Sequence, residues 1–259
     1  MNKKLDLLHF PKEREESLKA IKRYDIFDTM FYRTDLWIHS NRVSWIVREL
    51  MPIAKKFYKN IDAKKAIIMA QVHDDAEIYT GDYNATHKAS GSKSFLLKIK
   101  KQEIEAIKKL SNTFPKYIGK YSYKKLLFQI MKKGGIETKV VCYADRLDAF
   151  CESLHEVLAG NIAFLPAVIF DADRLSRFEQ KYPELKLFLN YSDSPLTNLK
   201  VIFPQLVKVK SFNDNFNKLF TKKSIKIPTV FYAYDEWRAI TIKNLGNNGL
   251  QALTKQKEF

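Results

Sequence analysis

The sequence predicts an all-α fold, and three observations carry that prediction. Glycine and proline number only eight each among 259 residues, which is few for a turn-rich β architecture. Hydrophobic side chains recur three or four positions apart over long segments, which is the period of an amphipathic helix. Hydrophobic residues make up 46% of the chain, enough for one large core or two modest ones, so wholesale disorder is excluded.

Six segments of the chain carry helical periodicity. The clearest is 39–58, where His39, Ile46 and Leu50 fall on one face. Asp62 is the expected N-cap of the next helix, because its carboxylate can accept hydrogen bonds from the first free backbone N–H groups. The predicted helices, in order, are 12–24, 39–58, 62–80, 98–111, 121–132 and 137–159.

The chain changes character towards its C-terminus. Small and polar residues at 190–195 predict a linker, and residues 197–259 carry eleven Lys and Arg against four Asp and Glu. The β-branched runs in that region fit strands or buried helix segments equally, because periodicity does not separate the two over short runs. We therefore expect one domain at 1–190 and a basic C-terminal extension at 191–259, of mixed or irregular structure and packed on that domain.

Charge and cysteine content narrow the class of protein. Basic residues give a net charge of +16, which favours an anionic ligand such as a nucleotide, a nucleic acid, a phosphorylated metabolite or an acidic membrane. Cys142 and Cys151 form no C-x-x-C pair, so a disulfide scaffold or a thiolate zinc site is not expected. The charged first residues do not resemble a signal peptide, and no apolar run reaches the roughly 18 residues of a membrane span. We expect a cytoplasmic protein.

The segment richest in chemistry is His73-Asp74, with Glu77 four residues after the histidine. His39 lies upstream on an apolar helix face, and Asp145 lies downstream between apolar residues, where a carboxylate needs a cation or hydrogen-bond donors nearby. Imidazole and carboxylate ligands together suit one divalent transition metal, such as Mn, Co, Ni, Fe or Zn. The order H…HD…D on three helices therefore predicts a metal site.

Several motifs in residues 20–165 accompany the predicted metal ligands, and together they resemble the pattern of a known family. In order they are Ile21-Lys22-Arg23-Tyr24, Arg33-Thr34-Asp35, His39-Ser40, His73-Asp74-x-x-Glu77, Thr80-Gly81-Asp82, Lys88, Ala144-Asp145 and Glu156 with Ala159-Gly160-Asn161 and Phe164. This series resembles the HD-domain phosphohydrolases, and within them the small bacterial deoxyribonucleoside 5′-monophosphatases, or 5′-deoxyribonucleotidases. The region beyond residue 190 has no counterpart in the resemblance.

The resemblance implies an HD-domain helical bundle and a single divalent metal. Its expected ligands are His39, His73, Asp74 and Asp145. The metal would polarise the phosphate and lower the pKa of a bound water. The resemblance implies that Glu77 is the acid/base residue that acts on this water, and that Asp82 is a second catalytic residue.

Three further residues are implied to bind the substrate. Arg23 would hold the phosphate, because a guanidinium offers a fixed fork of donors to an oxyanion. Lys88 would line the pocket near the sugar and phosphate. Tyr24 stands where the subfamily has a tryptophan credited with excluding the ribose 2′-hydroxyl, so weaker discrimination against ribonucleotides is expected.

Other interpretations remain open at this point. The same metal set would serve a deoxynucleoside triphosphate triphosphohydrolase or a signalling-nucleotide phosphodiesterase, and a non-catalytic nucleotide-sensing or partner-binding module is the alternative from another class. Nucleic-acid binding and membrane binding are not expected, since no Arg-rich cluster or recognition motif is present. A homodimer is an expectation from the resemblance alone. Asp148 is interpreted as a salt-bridge partner rather than a further ligand.

Overall fold

The structure is a computed structural model, and it describes residues 12–27, 30, 32, 34–83, 88, 91–188 and 227–245. Over these residues the chain is mostly helical, which confirms the predicted all-α class. The helices are α1 (Lys12–Ala20), α2 (Leu36–Phe57), α3 (Ala63–Val72), α4 (Glu77–Thr80), α5 (Lys93–Thr113), α6 (Tyr123–Met131), α7 (Ile136–Leu158), α8 (Leu165–Lys181) and α9 (Ile227–Leu245). A short antiparallel hairpin of β1 (Tyr117–Ile118) and β2 (Tyr121–Ser122) precedes α6, and 3₁₀ turns occupy Ile162–Phe164 and Pro183–Phe188.

Helix α7 lies at the centre of the bundle. It packs against α2, α3, α8 and α9, and its side chains are buried on several faces. Cys151 and Leu154 of α7 and Val47 of α2 are essentially inaccessible to solvent. Burying apolar surface of this kind contributes roughly 25 cal/mol per Å², so the contact between α2 and α7 holds their polar residues in fixed register.

Helix α2 begins directly after its N-cap, Asp35, three residues before the predicted start at 39. The side chain of Asp35 accepts a hydrogen bond from the backbone N–H of Ile38 at 3.0 Å, and Asp35 also pairs with Lys22 in an isolated β-bridge. These contacts place His39 in the first turn of α2, at the end of the helix that faces α3 and α7.

The predicted helix over 62–80 is wrong at residues 73–76. Asp62 is the N-cap, and its side chain accepts from the N–H of Lys65 at 3.0 Å, but α3 ends at Val72. A turn follows in which the N–H of Asp75 donates to the carbonyl of Val72 and that of Glu77 donates to Asp74, three residues back rather than four. Tertiary contacts decide this break, because the carboxylate of Asp75 is drawn away from the helix axis into a buried network.

That buried network ties three elements together at the turn. Arg14 of α1 donates to both carboxylate oxygens of Asp75, at 2.9 and 2.7 Å, and to the carbonyl of Gln71 at 2.7 Å. The hydroxyl of Tyr123, at the start of α6, donates to Asp75 at 2.7 Å. The turn that carries His73 and Asp74 is therefore held from behind by α1 and α6.

The C-terminal part of the chain adds two helices that the sequence analysis did not define. Helix α8 follows the 3₁₀ turn after α7 and packs along α7. Helix α9 lies within the segment for which mixed structure is predicted, and it packs on α2 and α7 through Tyr234 and Trp237. The predicted linker at 190–195 and the domain boundary lie outside the described residues, so the division into two domains stays a prediction. Cys142 and Cys151 are both free thiols, and none of the described helices is long and apolar enough to cross a bilayer.

Candidate metal centre and active site

Four side chains from three parts of the fold converge on one point. His39 comes from α2, His73 and Asp74 from the turn after α3, and Asp145 from α7. The two Nε2 atoms are 3.2 Å apart, and His39 Nε2 is 3.4 Å from a carboxylate oxygen of Asp74 and 3.4 Å from one of Asp145. The corresponding distances from His73 Nε2 are 3.2 and 3.9 Å. The predicted metal-ligand set is thus brought together in space.

Each imidazole is oriented by a hydrogen bond at its other nitrogen. His73 Nδ1 lies 2.7 Å from the carbonyl oxygen of Ala70, and a carbonyl only accepts, so Nδ1 carries the hydrogen. His39 Nδ1 lies 2.7 Å from a carboxylate oxygen of Asp148. Histidine ligands of protein metals are characteristically held this way, which leaves Nε2 with a free lone pair. Both Nε2 atoms face carboxylate oxygens of Asp74 and Asp145.

The donor set fits a divalent cation in both spacing and charge. Ligands about 2.0–2.1 Å from a tetrahedral ion lie about 3.3 Å from one another, which is close to the separations measured here. Burial opposes protonation of His39, yet its hydrogen bonds to three carboxylates outweigh that effect and raise its pKa well above 6.5. The pKa of Asp145 is lowered well below its usual range, because its bond from His39 and the charge of His73 outweigh burial. Positive charge at this point therefore stabilises the ionised carboxylates, and a metal ion would supply that charge.

A second cluster of possible ligands lies behind His39, formed with Asp148 and Glu152. Two guanidinium groups occupy it. Arg42 donates to both oxygens of Asp148, at 2.7 and 2.9 Å, and lies 2.9 Å from Glu152. Arg23 also pairs with Glu152 and lies 3.3 Å from Asp148. These arginines neutralise the carboxylates, so this cluster is not a second candidate metal site, and the salt-bridge interpretation of Asp148 is confirmed.

A cavity of about 620 Å³ opens over the four converging side chains. All nine residues singled out by the sequence line it: Arg23, Tyr24, His39, His73, Asp74, Glu77, Asp82, Lys88 and Asp145. Their roles remain predictions, but their common location is a structural finding. A concave pocket with convergent polar groups is the usual form of a small-molecule site.

Glu77 differs from the other acidic groups of the pocket. It begins α4, and its Oε2 atom is buried without a hydrogen-bond partner among the described residues. Burial, reinforced by the negative charges of Asp74 and Asp82, raises the pKa of Glu77 well above its usual value. A carboxyl group with a raised pKa and an oxygen without a partner among the described residues is suited to proton exchange with a ligand in the pocket.

Asp82 and Lys88 lie on the same side of the cavity as Glu77. Burial is the largest cause of a raised pKa at Asp82, and Arg23 partly opposes it. The Nζ atom of Lys88 is 3.8 Å from a carboxylate oxygen of Glu103 on α5. This weak, half-exposed pairing leaves the ammonium group available to an anionic ligand.

Arg23 and Tyr24 also line the cavity. The side-chain hydrogen bonds of Arg23 within the described residues all use Nη1, which contacts Glu152, Asp148 and, at 2.8 Å, His39 Nδ1. Tyr24 adopts a left-handed backbone with φ of 54°, and its hydroxyl lies 2.8 Å from the Ala149 carbonyl and 3.1 Å from Asp171. A non-glycine residue in this conformation costs free energy and is held by such contacts.

Residues 15–194 match the family described as 5′-deoxynucleotidase YfbR-like. The match spans well over half of the chain and contains every residue of the site described above. The chain belongs to the YfbR-like 5′-deoxynucleotidase family.

Individual relatives agree with this assignment. A 5′-deoxynucleotidase of Vibrio vulnificus (strain YJ016) is 29% identical over 153 residues, which cover 59% of this chain and 76% of the relative. One from Yersinia pestis (strain Pestoides F) is 31% identical over 152 residues, covering 58% and 75%. The crystal structure of an HD-domain phosphohydrolase from Listeria innocua aligns with a TM-score of 0.58 at 18% identity, covering 82% of this chain and 97% of that one. The predicted HD-domain fold is confirmed, and the chain is an HD-domain phosphohydrolase.

The structure also shows supporting residues that the sequence analysis missed. Arg42 lies three positions after the predicted ligand His39 and pairs with Asp148, so the helical period could have identified it. Asp171 of α8 lines the cavity and contacts Tyr24, but no motif marks it. Trp237 of α9 lies beyond the matched region.

Proposed function

We propose that this protein is a metal-dependent phosphohydrolase that releases phosphate from (deoxy)nucleoside 5′-monophosphates. One observation carries the proposal: two imidazoles and two carboxylates converge at a cavity that is also lined by Glu77, whose Oε2 has no hydrogen-bond partner among the described residues. Membership of the YfbR-like family supports a nucleotide as the substrate.

The four converging side chains fit a single divalent transition metal. Bound there, such an ion supplies Lewis acidity towards a phosphate oxygen and lowers the pKa of water. The protein's own contribution is orientation: Ala70 and Asp148 fix the tautomers of His73 and His39, so that both Nε2 lone pairs face the same point.

Glu77 is assigned the proton transfer. Its buried Oε2 accepts the proton of the water that attacks phosphorus and then returns it to the leaving 5′-oxygen of the nucleoside. A raised pKa suits both halves of this exchange, since an acid/base group is most effective when its pKa lies near the working pH. Asp82, which raises the pKa of Glu77 by its charge, is placed to help hold this pKa in range.

The substrate is held by side chains that line the cavity. Arg23 and Lys88 supply positive charge to the phosphate, and Tyr24 borders the sugar. Pairing with Glu152 fixes the orientation of Arg23 before a ligand arrives, which reduces the entropy lost on binding.

A triphosphate is the second candidate substrate, because the cavity lining contains more cations than one phosphate needs. These additional side chains are Lys100, Lys133, Arg146 and Arg174. The cavity volume of about 620 Å³ also suits a ligand of drug-like or larger size.

The deciding experiment supplies the protein with Mn²⁺, Co²⁺, Ni²⁺, Fe²⁺ or Zn²⁺ and a panel of nucleotides. We expect inorganic phosphate from monophosphates, whereas tripolyphosphate released from deoxynucleoside triphosphates would establish the second candidate instead. The Asp74→Ala variant, prepared in parallel, controls for contaminating phosphatases, since it should lose both bound metal and turnover. An absence of turnover with every metal and nucleotide would overturn the proposal.

A further inference from the structure

Asp148 is contacted from a helix that lies outside the family match. The indole Nε1–H of Trp237, on α9, donates to a carboxylate oxygen of Asp148 at 2.7 Å. Trp237 is 2% exposed, and Asp148 is fully buried. The two residues are 89 positions apart in the chain, so the contact depends on α9 docking against α2 and α7.

This contact lies behind the metal centre rather than in the substrate cavity. Trp237, Asp148 and Arg42 are all absent from the described lining of the cavity. Asp148 nevertheless reaches the centre directly, because it accepts the Nδ1 hydrogen of His39 at 2.7 Å. Trp237 therefore acts on the chemistry through its neighbours, and Asp148 is the neighbour that contacts a predicted ligand directly.

The hydrogen bonds of Asp148 are divided between its two oxygens. Oδ1 accepts from Arg42 Nε and from Trp237, whereas Oδ2 accepts from Arg42, from His39 and, at 3.3 Å, from Arg23. The indole ring also lies over the Arg42 guanidinium, with 5.3 Å between the guanidinium carbon and the ring centroid. Trp237 thus restrains both the Asp148 carboxylate and the Arg42 guanidinium that donates to it, without adding charge.

We propose that Trp237 is a positioning residue of the metal centre, through which the C-terminal extension fixes the Asp148 carboxylate and, with it, the His39 ligand. The inference rests on the metal site of the proposed function. It assigns a role to a segment that the family match does not include, since α9 lies after residue 194.

Other contacts hold α9 in place, which makes the role of Trp237 separable from helix docking. Tyr234 lies 2.6 Å from His155 through its hydroxyl, Asn244 accepts from Arg48 at 3.1 Å, and Lys243 pairs with a glutamate of α2 at 2.6 Å. Trp237→Phe removes the N–H donor while keeping an aromatic ring over Arg42. Lys243→Ala removes a docking contact of the same helix and leaves every donor to Asp148 intact.

The experiment titrates Co²⁺ into full-length wild-type, Trp237→Phe and Lys243→Ala proteins after metal removal. We expect Trp237→Phe to raise the dissociation constant about 3- to 10-fold, below the 10–100-fold typical when a residue in direct contact with a ligand is removed. Its Co²⁺ visible absorption bands should also shift, and kcat should fall with little change in KM. Lys243→Ala should match wild type in dissociation constant and spectrum.

Two results would overturn the role of Trp237, and a third would overturn the metal centre on which that role depends. Unchanged Co²⁺ affinity and spectrum in Trp237→Phe would remove the role of the indole, and equal losses in both variants would reduce it to helix docking. Failure of the wild type to bind Co²⁺ would overturn the metal centre itself and the proposed function with it.

A measurement on the wild-type protein applies even if Trp237→Phe does not fold. The indole N–H resonances are assigned by elimination with Trp37→Phe and Trp45→Phe, and diamagnetic Zn²⁺ is then added. Because Trp237 is linked to His39 through one carboxylate, its indole resonance should shift on binding. A stationary resonance would contradict the inference.

Discussion

At the scale of single residues, the pKa of each carboxyl group in the cavity depends on the charged groups around it. Asp74 and Asp145 lie beside imidazoles, which lower the pKa of each despite burial. Glu77 has acidic neighbours, so both burial and charge raise its pKa. These opposite pKa shifts within one pocket are what the proposed metal binding by Asp74 and Asp145 and the proposed proton transfer by Glu77 require.

Glu77→Gln tests that division of roles. Glutamine keeps the size of the side chain but cannot accept the proton of the attacking water. We expect bound metal to stay at the wild-type level while kcat falls about 10²–10⁴-fold. Metal analysis and steady-state kinetics on the same preparation check this. A loss smaller than about tenfold would transfer the acid/base role to another group, such as Asp82.

Tyr24 is the residue at which sugar preference is predicted to depend on size. Its ring packs on Phe27 and Phe164, and its hydroxyl is already bonded to Ala149 and Asp171. We expect Tyr24→Trp to raise the ratio of kcat/KM for deoxyribo- over ribonucleotides by about 10- to 200-fold, the range that packing differences in a pocket supply.

The matched control for this substitution is Tyr24→Phe. It deletes the bonds to Ala149 and Asp171 but keeps the ring, so the ratio should stay at the wild-type value if the discrimination is steric. Comparing both variants on matched deoxy and ribo substrates separates the two contributions. An unchanged ratio in Tyr24→Trp would show that this side chain does not border the sugar.

At the scale of elements, the short α1 stabilises a turn far from it in sequence. Arg14 and Asp75 are both almost fully buried, and each satisfies the charge of the other. Arg14→Met should lower the free energy of unfolding by about 3–5 kcal/mol, because it leaves a buried carboxylate without its cation. Denaturant titration measures the change.

Helix α1 supplies its own control in Lys19, whose pair with Glu15 is about half exposed. Lys19→Met should change stability by less than about 1 kcal/mol, as is usual for surface ion pairs. Equal effects of the two substitutions would show that Arg14 acts through general helix propensity rather than through Asp75.

The long helices were predictable because each shows a continuous apolar face that one amphipathic period explains. The predicted spans 39–58 and 137–159 differ from α2 and α7 by three residues or fewer at either end. The break at 73–76 was not predictable from local pattern, since it depends on Arg14 and Tyr123 reaching Asp75 from other elements.

At the scale of the whole molecule, the sequence order of ligands predicted where the site would form but not what supports it. His39, His73 and Asp145 carry recognisable spacing. The contact between Trp237 and Asp148 joins segments with no common motif, so it emerges only from the packing of α9. The basic net charge likewise predicted an anionic ligand without locating the cations of the cavity.

The free energy of unfolding should depend on pH because of one buried carboxyl group on α8, that of Asp171. Burial raises the pKa of Asp171 to about 6, from 3.8 in the unfolded chain. The folded state therefore binds more protons between these values, so the stability of the metal-free protein falls as pH rises from about 4 to about 6. Asp171→Asn should raise the free energy of unfolding at pH 7 by up to about 3 kcal/mol, with no gain below pH 4.

The control for this pH effect is Asp173→Asn on the same helix, where a partly exposed carboxylate pairs with Arg177. We expect it to change stability by less than about 1 kcal/mol at any pH. Urea unfolding at pH 4 and pH 7 in the presence of a chelator distinguishes the two variants. A pH-independent effect of Asp171→Asn would contradict the raised pKa.

Because the converging ligands belong to α2, to the turn after α3 and to α7, an ion among them would crosslink segments that are distant along the chain. Such a crosslink exists only in the folded state, so free metal stabilises that state by mass action, by about 2.7 kcal/mol at a concentration 100 times the dissociation constant. Chelation should therefore lower the melting temperature and expose the chain to proteases. Scarcity of the metal in a cell would then reduce the amount of this protein as well as its activity.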